Sequence, residues 1–210
     1  MGSVRHAVLG IAMALGVASC AHAGTIFDTA GKLYGVDPML LRSIAMRESS
    51  IYPWALNFGG QSLYLPSHRA LVRTFKASRD RPYLVSVSYR GDRQSRRLFF
   101  KTAAAAKQFR SNLVSDSSVR AVKVSWVNVD NVDVGLMQIN WGWHGKEFSS
   151  IDQMSRVHAN VMYASRLLSG LIKKHGIFRG VGYYHSSSDR LWQNYYRKVR
   201  RVYIKLAQGS

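Results

Sequence analysis

Apolar positions recur at helical spacing at both ends of the chain and at alternate positions in its middle. Residues 25–34 place Ile26, Ala30, Leu33 and Tyr34 on one side and stop at Gly35, which predicts a short helix. Asp37-Pro38 is a strong helix start, a capping side-chain oxygen followed by a residue with no N–H to satisfy. Leu41, Ile44, Ala45 and Glu48 then fall at i, i+3, i+4 and i+7, and Pro53 turns the chain away. Beyond Gly60 the pattern changes. Val85, Val87 and Tyr89 alternate with serines, Gly91-Asp92 marks a turn, and Arg96 to Phe100 reads as a partner strand. Thr102 caps an alanine-rich helix from Ala103 to Leu113, and Val122, Val124 and Trp126 alternate once more. These elements predict a β-β-α-β insertion over residues 61–127.

Helical spacing returns after Trp143. Ser150 caps a predicted helix with Met154, Val157, Val161, Ala164, Leu168 and Leu171 on one face, ending near Gly176. Gly180 to Ser186 reads as a tight loop. Asp189 starts a last helix with Leu191, Tyr195, Val199, Val202 and Leu206 inward and Arg197, Lys198, Arg200 and Arg201 on the solvated face.

Composition narrows the partners. The 210 residues make room for one domain carrying an insertion, and 47% hydrophobic residues suffice for a sizeable core. Thirty Lys+Arg against eleven Asp+Glu give a net charge of +19, which suits nucleic acid, an acidic membrane face or an anionic cell-wall polymer. Residues 1–23 choose among them. Arg5 and His6 precede an apolar run from Ala7 to Ala18, and Ala21-His22-Ala23 suits a signal peptidase cutting before Gly24. An exported chain is not expected to bind nucleic acid. The same stretch, Val17-Ala18-Ser19-Cys20, also reads as a lipobox, and processing there would leave Cys20 lipidated as an outer-membrane anchor. Cleavage after Ala23 is the preferred reading. Cys20 is the only cysteine, so no intramolecular disulfide can form.

The candidate chemistry centres on Glu48. An acid closing an apolar stripe is disfavoured as an anion, so its pKa should rise, as a general acid at neutral pH requires. Three short elements follow one another along the chain: Glu48-Ser49, then Asp133-Val134-Gly135-Leu136-Met137-Gln138-Ile139-Asn140, then Gly182-Tyr183-Tyr184-His185-Ser186. In that order they resemble the soluble lytic transglycosylases, closest to the small members that accompany secretion, pilus and conjugation machines.

The resemblance covers residues 25–58 and 128–206 and carries several expectations. The fold would be mainly α, a lysozyme-like all-helical catalytic domain (24–60 and 128–210) interrupted by the small α+β module (61–127). The protein would be periplasmic and would act on peptidoglycan glycan strands without cofactor or metal. Glu48 matches the single catalytic acid/base, Tyr184 the tyrosine that orients it, and Gln138 the glutamine that touches the sugar. Ser49, Asn57, Asn140 and Tyr183 stand where they would contact glycan. His185-Ser186 replaces the commoner Asn-Ala after the tyrosine. Asp133 leaves two enzymatic routes open, because the same element resembles animal-type lysozymes, where that aspartate is the second carboxylate. Its other reading is a turn residue bonded to local backbone amides. A third expectation, of another class, is a glycan-binding scaffold of a secretion machine. Trp141 and Trp143 suit either sugar stacking or core packing.

Overall fold

The computed structural model describes residues 26–92 and 95–209; the leader, its cleavage site and Cys20 lie outside them. A first helix, α1, occupies residues 26–34. Helix α2 (Pro38–Ser49) starts as its sequence dictates, with the Asp37 side chain accepting from Met39 N at 2.8 Å. It ends in two left-handed residues, Ser50 and Ile51, whose N–H groups bond back to Met46 and Ala45.

From there the chain departs from an all-helical plan. Strands β1 (Ala55–Phe58), β2 (Gln61–Tyr64), β6 (Val132–Val134) and β7 (Ile139–Asn140) form one sheet in the order β2-β1-β6-β7. Strands β3 (Tyr83–Tyr89), β4 (Arg96–Phe100) and β5 (Val119–Trp126) form a second in the order β4-β3-β5. Every pairing is antiparallel. The protein is therefore mixed α/β, with seven strands in two sheets among the described residues, and the expectation of a mainly α, lysozyme-like fold is corrected. The physical reason is local. The core sheet is built from strands of two to four residues, too short to show a period-two pattern, and pairing rather than propensity forms them.

The inserted segment also differs from a β-β-α-β unit. After β2 it forms a helix that the Arg/Ser-rich composition conceals, α3 (His68–Asp80), capped by Ser67 Oγ accepting from Ala70 N. Leu71, Phe75 and Ser78 are its buried face. Helix α4 (Ala103–Asn112) packs on one face of the second sheet and closes a small cluster with Val85, Val87 and Ala106. The other face carries Leu84 and Phe99 into the main core.

The C-terminal half is helical. The predicted helix from Ser150 is broken into α6 (Ile151–Met154) and α7 (Val157–Tyr183). Ser155 ends the first piece by bonding the Ile151 carbonyl at 2.7 Å, and Arg156 is extended. Helix α7 kinks at Gly176 (φ 75°, ψ 166°), where the sequence places its end, but then resumes, so the predicted loop at 180–186 is partly helical. Gly180 lets that final turn lie close, since a Cβ there would sit 2.7 Å from the Ile172 backbone. Helix α8 (Asp189–Gln208) packs across α2 and α7, burying Tyr195 and Val199, while Leu191 stays 48% exposed rather than inward. One apolar core joins Leu41 and Ile44 of α2, Leu56 and Val134 of the first sheet, Leu71 and Phe75 of α3, and Leu168 of α7.

Candidate active site

The central element, residues 133–140, is held as a fixed loop by one buried side chain. Asn160 of α7 accepts from Met137 N at 2.8 Å and donates to the carbonyls of Val134 (3.0 Å) and Met154 (3.1 Å). Gly135 is required beneath it. Its φ is 79°, and a Cβ would lie 2.8 Å from the Asn160 amide. Gln138 follows in the left-handed region (φ 49°) and donates to the Gly135 carbonyl at 2.8 Å, which aims it at the cleft wall. The loop is tied to α2 by Ser49, whose hydroxyl donates to the Leu136 carbonyl at 2.7 Å. Ser49 is fully buried, so it is a structural pin and not the sugar contact the sequence implied.

Those ties place Glu48 at the wall of a cleft of about 800 Å³, with Asn57, Asp133, Gln138, Asn140, Tyr183 and Tyr184 around it. Glu48 is half-buried at the end of α2, and burial raises its carboxyl from 4.5 to about 7, against the lowering effects of Tyr195 and Arg47. It is thus a proton donor at neutral pH that becomes a base when it gives the proton up.

Two tyrosines flank it with different duties. Tyr184, the expected orienting residue, donates its hydroxyl to the Met137 carbonyl at 2.8 Å, and burial holds that phenol well above its usual range. The tyrosine whose hydroxyl acts on Glu48 is Tyr195 of α8. Its oxygen is buried, and the pair is near enough for each to move the other's proton affinity, yet it falls short of good hydrogen-bond geometry. Sequence reading placed Tyr195 inward and gave it no role. The signal was its position on the buried stripe of α8, but its partner lies far away in sequence.

Asp133 sits in a row of polar side chains that crosses the sheet from β1 to β7. Asn57 Nδ2 donates to its Oδ2 at 3.1 Å and Asn140 Nδ2 to its Oδ1 at 2.9 Å. Burial raises its pKa and these two bonds oppose the rise. The local-turn reading gives way to cross-strand pairing, since Asp133 stands opposite both Asn57 and Asn140. Both carboxyl oxygens are engaged, so Asp133 is held in place within the cleft.

The remaining candidates divide. Asn140 caps the short helix α5 (Trp141–His144) through Trp143 N. Tyr183 lies edge-on to His175 with ring centroids 4.8 Å apart, at the cleft wall. Trp141 packs on Phe75, while Trp143 is 77% exposed at the cleft rim. His185 stacks on Tyr195 at 4.8 Å and lies in the same cleft, its pKa lowered chiefly by burial. Among the described residues no three His, Cys, Asp or Glu side chains are grouped to hold a metal ion, and no helix is long and apolar enough to cross a membrane. No family model matches the chain, and no curated protein matches it, so the functional reading rests on the cleft itself.

Proposed function

We propose that this cleft cuts the β-1,4 linkage between MurNAc and GlcNAc of peptidoglycan, as an exported, periplasmic lytic transglycosylase. The observation that carries the reading is Glu48: one acid whose pKa burial raises to about 7, at the wall of a cleft of about 800 Å³ with mixed polar and apolar lining, beside an aromatic rim. Glu48 gives its proton to the bridging oxygen as the bond from C1 breaks. The resulting carboxylate takes the proton of the same sugar's 6-hydroxyl, whose oxygen closes on C1 to leave a 1,6-anhydro end. One group serves as acid and then base, which a pKa poised near the working pH allows. Asp133, a neighbouring carboxyl pinned by two amides, supports positive charge at the ring during cleavage and sets the rate rather than the product. The net charge of +19 suits an anionic wall polymer, and the resemblance to machine-associated members makes a secretion, pilus or conjugation assembly the fitting partner.

The test is digestion of purified sacculi followed by mass analysis. The expected product carries an anhydro end, lighter by one water than a hydrolysed reducing end. Glu48→Gln should cut turnover by about a hundredfold to ten-thousandfold while leaving sacculus binding intact. Near-normal turnover in a folded Glu48→Gln preparation would sink the mechanism, and sacculus binding with no turnover in the wild type would leave a scaffold.

A further inference from the structure

A second pocket, of about 710 Å³, opens where the inserted segment meets the first sheet. Its walls have a definite construction. Ser62, Leu63, Tyr64 and Leu65 follow one another along it, so the pocket runs beside the edge of β2, which has a strand partner on one side only. Strand β4, also an edge strand, contributes Arg97 and Phe99, and Ser95 just before it falls in the same alternation, so one face turns to the pocket. Helix α3 supplies Arg73 and Thr74.

Arg97 is the anomaly. Its Nε and Nη1 are shut off from solvent and have no hydrogen-bond partner among the described residues. Desolvation lowers its pKa, the mark of a cation held where water solvates it poorly. Buried donors are almost always paired, and an orphaned guanidinium is costly unless an anion meets it. Arg73 adds a second positive charge, and the hydroxyls of Ser62, Thr74 and Ser95 add neutral donors. A guanidinium that lines the pocket offers a carboxylate its charge and charge-assisted hydrogen bonds.

The pocket and the cleft lie against the same sheet. Ser62 stands opposite Asn57, and Asn57 opposite Asp133. Cross-strand neighbours share a face of the sheet, so one polar row, about 5 Å per strand, leads from the cleft into the pocket. We propose that this pocket receives an extended, carboxylate-bearing peptide, the stem branching from the glycan strand that lies in the cleft, with Arg97 binding its carboxylate. The choice of the stem as occupant rests on the proposed function; the carboxylate site itself rests on Arg97.

The full chain is titrated with a synthetic tetrapeptide stem bearing free carboxylates, with the same peptide fully amidated, and with inorganic phosphate. The free acid should bind at least about tenfold more tightly than the amide, and Arg97→Gln should lose that preference while Arg97→Lys keeps part of it. Because Arg97 is unpaired in the empty pocket, Arg97→Gln should melt no lower than the wild type. Equal binding of acid and amide, an unchanged preference in Arg97→Gln, or melting several degrees lower would each overturn the proposal. Phosphate binding as tight as the stem would also overturn it, by showing a generic anion site. Sacculus digestion is run alongside. Anhydro products without carboxylate preference sink the pocket alone, whereas carboxylate preference without cleavage sinks the lytic reading and leaves a peptide site.

Discussion

The elevated carboxyl of Glu48 must register in stability as well as in turnover. Moving that group from 4.5 to about 7 on folding is worth about 3 kcal/mol, at about 1.4 kcal/mol per tenfold change in proton affinity. The sign follows from which state holds the proton. Below about pH 4.5 the carboxyl is neutral folded and unfolded alike, and no penalty exists. Between about 4.5 and 7 the folded protein keeps a proton that the unfolded chain has lost, so stability falls as pH rises, and above 7 the full cost is present. Glu48→Gln has nothing to ionise. Measured by urea unfolding at pH 4.5 and pH 8, the variant should gain on the wild type by up to about 3 kcal/mol at the higher pH and by little at the lower. That figure already includes the repulsion from Asp133, which also raises Glu48. A variant whose stability tracked the wild type in parallel across that window would refute the desolvation argument, and with it the claim that Glu48 is held protonated for catalysis.

Two further outcomes follow from the tyrosine and the second carboxyl. Tyr195→Phe removes the hydroxyl that lowers Glu48, so the alkaline limb of the kcat/KM profile should move upward by up to about one pH unit, the worth of one imperfect hydrogen bond to a charged group; a limb that stays in place would mean the hydroxyl does not act on the acid. Asp133→Asn turns one amide NH2 toward either Asn57 or Asn140 and so breaks one of the two bonds that hold the side chain, so release of muropeptides should slow by about tenfold to a thousandfold with the products still anhydro. A wild-type digest made mainly of reducing ends would instead make Asp133 the second carboxylate of a hydrolase.

The parts of this structure that the sequence discloses are those fixed within a few residues. The caps at Asp37, Thr102 and Ser150 form as read, because each is a side chain bonded to an amide two or three positions on. Glu48 was legible for the same reason: an apolar stripe with an acid at its end is complete within α2. Helix α3 was not. Ser67 as cap and the Leu71–Phe75 spacing were present, but the five charged residues of the helix read as part of a polar strand region. The short core strands left no signal of their own, and the fold class was misjudged with them. Contacts between distant segments were hidden most completely. Nothing near Asn160 announces that its amide will hold the 133–140 loop, and nothing near Tyr195 points to Glu48.

The insertion bears on the cleft through its first strand. Asn57 donates to Asp133 from β1, and β1 is held on its other side by β2, paired from Ala55–Tyr64 to Phe58–Gln61. The turn between them is fastened by Asn57 itself, whose Oδ1 accepts from Gly60 N at 2.9 Å. Gln61 then reaches into the second sheet, bonding Ser125 at 2.8 Å and Ser86 at 3.1 Å, while Phe58 meets Phe99 edge-on at 5.7 Å. Leu84 of β3, fully buried, completes the main core from the inserted side. A segment attached only at its two ends could move freely without consequence for the site. This one shares a sheet and a core with its host, and the residue at the junction, Asn57, is one of the two that hold Asp133. The insertion's edge strand β2 therefore lies one strand away from β6 and Asp133, with β1 and Asn57 between them, and the pocket at Arg97 lies at the same junction.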